Sequence, residues 1–467
     1  MARIRPLTLG PIVGATTAST VRLWGRAEYE TSSAGLRRAV GVVRVRGAKR
    51  QFRAPTFFKM SPHFDMSGVV VLDSLEPDSV HDYQIGYFFS NAELGGVGAS
   101  TSLDWRAASR SSFRTGTDDP SASRTFVFGS CRYLLRLLGG AWFDLRGDKI
   151  FESILRQIDE GRVEIHGLLM VGDQIYADDL GAFFSDRLPD EYLKRYRDAF
   201  SQPGIRELMS RVPTYMTLDD HEIEDAWPKN ASPSDFRVKY PASIHAYQVY
   251  QASHSPLFRV RGHRIEGIPE KLWYMFRDGC CDFFVMDVRT ERVLGGPGEA
   301  RLVSSEQMSA LLSWLTDGSG RVKLVVSSVP LFPETRAKTD DHWAGFPRDR
   351  HALLSHIVEH RVERVVFLSG DIHASLSAEL CGIEGTKTRL ISVISSPFFW
   401  PYPEVSYRSL VLEGTLRSSN YVLQLQRVGP VHSTDNFTRI TVDPDRITVS
   451  VFSRKGDPLA PDKVHYF

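Results

Sequence analysis

The chain has 467 residues, 42% of them hydrophobic and 24% charged, which is ordinary globular material with enough apolar side chains for two domains, or for one large domain and a smaller one. Its 57 basic and 56 acidic residues leave a formal charge of +1, so no overall field favours a nucleic acid or an anionic membrane. Four cysteines are too few for a disulfide framework, the adjacent pair Cys280 and Cys281 is poorly placed to bond to itself, and reduced thiols are expected.

The amino terminus, MARIRPLTLGPIVGA, has two arginines but neither a long apolar core nor a small-residue cleavage site, so no signal peptide is expected and a cytoplasmic location follows, or export if the sequence is a processed form. No run of about 18 apolar residues occurs, so no spanning helix is expected. Residues 7 to 117 carry short β-rich runs between turn residues (STVRLWGRAE, RAVGVVRVRG, SGVVVLDSL, DYQIGYFFS), the pattern of a small all-β, Ig- or fibronectin-like sandwich. TGTDDPSASR, residues 115 to 124, is polar and rich in Pro and Ser and marks the boundary. The expected domains are therefore 1–117 and 118–467.

Beyond it strands and helices alternate, and the class becomes α/β. Strands are expected at 125–128, 168–171, 215–218, 283–286, 324–328, 365–368 and 390–394. In DKIFESILRQIDEG the residues Ile150, Phe151, Ile154, Leu155 and Ile158 share a helix face, with Gly161 placed to stop it. In SSEQMSALLSWL, Ser304 and Gln307 have capping-box spacing ahead of a stripe of Met308, Leu311, Leu312 and Leu315. Residues 185–263, rich in aromatic and charged side chains (Tyr192, Tyr196, Phe200, Tyr240, Tyr247, Tyr250), read as a helical insertion that walls a pocket. NFTRITVD and RITVSVFS form two strands about a turn, and Asn436-Phe437-Thr438 matches the short glycosylation pattern.

Four strands end in residues that bind metals: FVFGSCRY, LLMVGDQIYADD, PTYMTLDDHEIED and VVFLSGDIHAS. Each alone has a plainer reading. A Gly-Asp after a strand is commonly a turn, Cys131 a small buried residue, Tyr176 packing and His373 a satisfied core histidine. Together they resist that reading, because clustered carboxylates repel without a cation between them. Carboxylates suit hard cations, whereas thiolate, phenolate and imidazole suit a transition metal. Cys131, Asp173, Tyr176, Asp220, Asp371 and His373 make six ligands, enough for two metals.

These motifs, in this order, resemble the PhoD-like alkaline phosphatases of the calcineurin-like metallophosphoesterases, over about residues 124 to 400. FFVMDVRTER, SSEQMSALLSWL and DHWAGFPRDRHALL extend the likeness. The resemblance implies a four-layer αββα sandwich behind the β-sandwich, and Cys131 and Tyr176 as ligands of Fe³⁺. Asp173 would be shared with a second metal, Ca²⁺ or another divalent ion, held by Asp220, or by Asp219, since either side of that pair can be presented. Asp371 and His373 complete the centre, and His221 faces the leaving group or the phosphoryl oxygens. The run after the tyrosine, ADDLG, departs from the commonest form.

Two cations would neutralise the phosphoryl oxygens and supply hydroxide for in-line attack on a small phosphate ester, monoester or diester, phospholipase D-like action included. No serine with an adjacent base competes as nucleophile. A non-catalytic metal-binding scaffold is the alternative of a different class. Arg132 is a candidate to hold a phosphate oxygen. Asp178 is a further ligand or a cap. His342 and Trp343 line the pocket or anchor a loop, Asp287 and Arg289 form a buried pair, and His245 and His254 have no partner that the sequence names.

Overall fold

The computed structural model describes residues 1–30, 38–47, 50–98, 101–134, 136–137, 142–143, 145–178, 185–295, 299–336, 341–403 and 406–467. It is a mixed α/β protein. Near the amino terminus, Leu9–Thr16, Val21–Arg26 and Ser67–Leu72 make a three-stranded antiparallel sheet, and Thr56–Lys59, Arg38–Gly47, Val80–Ser90 and Ser109–Arg114 make a four-stranded one. Successive side chains on a strand point to opposite faces, so the three-stranded sheet serves two cores. Val13, Leu23 and Val70 meet Val43, Val45, Phe58 and Phe113 of the other sheet. Leu9, Ile12, Trp24 and Val69, on the reverse face, meet Ile205, Leu208, Val249 and Tyr250 from the later part of the chain.

Two larger sheets follow. In the six-stranded sheet, Thr214–Thr217, Gly167–Val171 and Arg124–Gly129 run parallel, and three antiparallel strands from Asn436–Asp443 to Lys463–Tyr466 extend it. The eight-stranded sheet has a parallel centre of Cys281–Val285, Val322–Val326, Val365–Ser369 and Arg389–Ile394. Each strand expected after residue 118 lies within two residues of an observed one. Their unbroken apolar runs follow from burial on both faces. Phe126, Phe128, Leu169 and Val171 share one cluster with Phe283, Val285, Leu324 and Val366 of the other sheet, while Val127, Leu168 and Met170 pack on Phe151 and Ile154 of helix Lys149–Asp159. Phe284, Val325 and Phe367 pack on Leu311 of helix Ser305–Leu315 and on Leu353 and Ile357 of helix Pro347–Glu359.

Three local expectations change. Ser304 does accept the Gln307 amide at 3.1 Å, but the Gln307 side chain turns inward to the Asp287 carbonyl at 2.9 Å and the reciprocal half of the box is missing. The mostly helical 185–263 stretch holds the expected strand at Thr214–Thr217 and ends in an unexpected one, Arg259–Arg261, which pairs with Arg264–Glu266. Its aromatics are core more than pocket wall: Tyr192, Tyr196, Phe200, Tyr247 and Tyr250 are buried, and their size and apolar bodies make them efficient filling beneath the helices. No described helix is long and apolar enough to cross a membrane.

Candidate metal centre

The parallel strands of both sheets point their carboxyl ends at one place, where open α/β sheets build their sites. Arg124–Gly129 leads to Cys131, Gly167–Val171 to Asp173, Thr214–Thr217 to Asp219 and Asp220, and Val365–Ser369 to Asp371. The turns are sharp. Cys131, Asp173, Asp371 and His373 all have left-handed φ, between 50° and 68°, a conformation that costs a non-glycine residue about 1–3 kcal/mol and persists where surrounding contacts impose it. Gly172 is required: its φ is 92° and a Cβ there would stand 2.5 Å from that of Asp219.

Those surrounding contacts are visible. The Arg132 amide donates to the Asp173 carbonyl at 2.8 Å, and the Asp371 amide to Ser130 Oγ at 3.1 Å. Glu222, buried to 1% exposure, receives the amides of Asp173 (3.0 Å), Gln174 (2.7 Å) and Asp219 (2.7 Å) and the side-chain amide of Gln251 (3.0 Å). Burial raises its pKa and these donors oppose that shift. The sequence reading passed over Glu222, although its place three residues after Asp219 is capping-box spacing.

Three groups bring ligand atoms within 4.8 Å of one another: Asp173, Asp220 and His221; Asp173, Asp219, Asp220 and Asp371; and Asp341, His342 and Asp371. Asp173 Oδ1, Asp219 Oδ2 and the Tyr176 hydroxyl are buried without a hydrogen-bond partner, and Asp220 Oδ1 has only Arg289 Nη2 at 3.4 Å. Burial, then repulsion from Asp219 and Asp220, holds Asp173 well above the ordinary carboxylate range. Burial likewise pushes up Cys131, with Asp173 and Asp371 beside it, and Tyr176, with Cys131 and Asp173 beside it. Asp371 is held low: burial, the largest single influence, pushes it up, but the bond to His342 and the charges of His342 and Arg289 together outweigh it. A protein rarely leaves several buried acceptors orphaned at one point, and a cation reverses every one of these penalties at once. The donor set therefore fits a metal.

Cys131 Sγ lies 3.3 Å from Asp173 Oδ2, and the Tyr176 ring stacks on that of His221 at 4.2 Å between centroids. Asp219 and Asp220 both face the group. Asp219 also accepts Arg289 Nε and Ser328 Oγ, while Asp220 accepts the Ala226 amide at 2.6 Å and is common to two of the three groups. His373 belongs to none of them; its ring lies on Trp400 at 4.0 Å. Asp178 places both oxygens on His221 Nδ1, at 2.8 and 3.0 Å, and accepts the Asp225 amide at 2.8 Å. His342 Nε2 stands 2.6 Å from Asp371 Oδ2.

Other expectations are corrected. Arg132 does not reach toward a phosphate: it is fully buried, its Nη2 donates to the Ala199 carbonyl at 2.8 Å and its guanidinium lies over Phe151. Asp287 and Arg289 are not paired through their side chains. Asp287 caps its own turn through the amides of Arg289 and Thr290, while the Arg289 guanidinium joins Asp219 and Asp341. Trp343 is buried core, and His254 is buried with Nε2 3.2 Å from the Tyr250 carbonyl. Asn436 is buried and bonded to Ser375 Oγ at 2.6 Å, so it is no glycan acceptor. All four cysteines are free. Within ADDLG, residues 179 to 181 lie outside the described residues.

A family model for PhoD-like phosphatases matches residues 140–396, a span that holds Asp173, Tyr176, Asp220, Asp371 and His373 and begins after Cys131. Alkaline phosphatase D of Bacillus subtilis (strain 168) is 24% identical over 415 residues, covering 80% of this chain and 66% of its own length, just short of two thirds. A solved structure of PhoD superposes with a TM-score of 0.71 at 17% identity, over 99% of this chain and 89% of that one, a likeness of fold.

Proposed function

The chain belongs to the PhoD-like phosphatase family, and from that premise we propose that it is a metal-dependent phosphoesterase acting on small phosphate monoesters, diesters or both. The observation that carries this reading is the convergence of Asp173, Asp219, Asp220 and Asp371 within 4.8 Å, with a buried orphan oxygen on each of Asp173 and Asp219. Cys131 and Tyr176 would hold Fe³⁺, because thiolate and phenolate favour a trivalent transition ion over Ca²⁺. Asp220 would hold Ca²⁺ or another divalent ion, Asp173 would be shared, and Asp371 and His373 would complete the centre. When bound, such a pair supplies Lewis acidity, which neutralises phosphoryl oxygens and acidifies water.

The chain's own groups do the rest. His221 stands next to Asp173 and Asp220: burial works against its charge, and Asp220, Asp173 and Asp178 together raise its pKa, Asp178 remaining its partner when cations neutralise the other two. With Nδ1 fixed by Asp178, Nε2 is the atom left to give a proton to the leaving oxygen. His342 orients Asp371 in the way that outer partners orient metal ligands. We read the two large sheets with their flanking helices as the four-layer αββα sandwich, residues 118–467, with 185–263 as its elaboration and 1–117 as an amino-terminal β-sandwich packed against it.

Metal analysis, a visible spectrum and hydrolysis of 4-nitrophenyl phosphate and bis(4-nitrophenyl) phosphate test this together. The expected protein is coloured, contains iron and a second metal, and loses at least a thousandfold in rate as Asp173→Asn with its fold intact. Full activity in a metal-free, colourless preparation overturns the reading, and the two substrates separate monoesterase from diesterase action.

A further inference from the structure

Beside the acids stands a run of rings that no core requires. Tyr176, which stacks on His221 at 4.2 Å, meets Tyr133 at 5.0 Å and Trp400 at 5.9 Å. Tyr133 meets Trp400 at 5.6 Å and Tyr402 at 5.3 Å, and Trp400 meets Tyr402 at 4.9 Å. None of these four residues belongs to a described hydrophobic cluster. The run opens outward: Tyr133 is 4% exposed, Trp400 is partly exposed and Tyr402 is 44% exposed.

It is also held still. The Tyr402 hydroxyl donates to that of Tyr133 at 3.0 Å, and the Trp400 amide to Asp435 Oδ1 at 2.9 Å. Pro401 and Pro403 flank Tyr402 and fix their own φ. Trp400 and Tyr402 pack on neighbouring rings and not on an aliphatic core, so the face they turn outward is ordered, exposed apolar area beside the acids.

We propose that Trp400 and Tyr402 form a subsite for the alcohol part of the ester, and that the group it takes is a flat aromatic ring. This rests on the phosphoesterase reading, since the subsite is defined by the contact of Trp400 with Tyr176 at 5.9 Å and with His373 at 4.0 Å. The geometry selects among π-binding groups. A caged quaternary ammonium needs ring faces standing apart, each within about 6 Å of the cation. Tyr133, Trp400 and Tyr402 instead touch one another edge to face, at interplanar angles of 81°, 72° and 62°, and leave no space between them. What remains is an outer face, on which a ring stacks or sets its edge.

The test compares benzyl, ethyl and choline esters of phosphate, each as the monoester and the methyl diester, so that all leave as aliphatic alkoxides. The wild-type protein should favour benzyl over ethyl by roughly fivefold to tenfold in kcat/KM, through KM, as expected of one aromatic contact. Tyr402→Ala should remove that ratio and Tyr402→Phe should keep it. Calorimetry with benzylphosphonate and ethylphosphonate gives a second readout, independent of turnover, and should show the same preference and the same loss in Tyr402→Ala.

Equal use of benzyl and ethyl esters by wild type, a ratio unchanged in Tyr402→Ala, or a preference for the choline ester overturns the subsite while leaving the phosphoesterase reading intact. Failure to hydrolyse any ester together with failure to bind either phosphonate overturns both. Tyr402-dependent preference for benzylphosphonate in a protein that hydrolyses nothing sustains the subsite and overturns the hydrolase.

Discussion

Asp178 bonds, among the described residues, to a histidine ring and to the Asp225 amide, and so decides which nitrogen of His221 is free. Asp178→Asn removes the charge that fixes the tautomer, and kcat should fall about 10- to 100-fold with a smaller change in KM. The loss should grow as the leaving alkoxide becomes more basic, because proton donation matters most there. Rates across a series of aryl and alkyl phosphates check this; a loss independent of the leaving group would mean that Asp178 serves only the loop at Asp225. Neighbouring residues show why such roles escape a linear reading. Arg132 follows Cys131 directly and points into the helices, where the Ala199 carbonyl accepts a hydrogen bond from it. Asp287 and Arg289 sit two apart, but the arginine satisfies acids from two other loops. Adjacency in sequence sets where a Cα lies and leaves open where a long side chain goes.

The turns after the strands act as a unit because Glu222 holds three of their amides. Glu222→Gln replaces one acceptor oxygen by a donor that faces donors, so it should cost about 3 kcal/mol in chemical denaturation and weaken metal binding about 10- to 100-fold. Unchanged stability with normal metal content would show that the turns keep their left-handed shape unaided. The parallel strands themselves were legible, since an apolar run of four or five residues ending in Gly-Asp is what a strand buried on both faces looks like. The aromatic helices were legible as elements but not in purpose. Tyr196 and Tyr250 stack at 5.2 Å with an interplanar angle of 9°, which is packing that no spacing along the chain announces.

The early sheets and the later α/β part share one core, and polar links cross the same boundary. Buried Asp65 accepts from Arg26 at 3.0 and 3.1 Å and from Arg197 at 2.7 Å, and the Tyr83 hydroxyl donates to the Ser210 carbonyl at 2.6 Å. Removal of residues 1–117 would bare Ile205, Leu208, Val249 and Tyr250, which now meet Leu9, Ile12, Trp24 and Val69. An exposed patch of that kind drives association, so residues 118–467 alone should elute as aggregate in size-exclusion chromatography, and a soluble, active monomer would show the shared core to be dispensable. Local order along the chain was enough to announce the strands, the α/β alternation and the four turns that carry candidate ligands, because periodicity and turn chemistry act between near neighbours. Only the folded arrangement could reveal that Glu222 ties those turns together, that Asp178 faces His221, that Arg132 is spent on a helix carbonyl, and that Tyr133, Tyr176, Trp400 and Tyr402 meet. Each of these is a contact between segments tens to hundreds of residues apart, and such contacts are chosen by the packing of sheets and helices against one another.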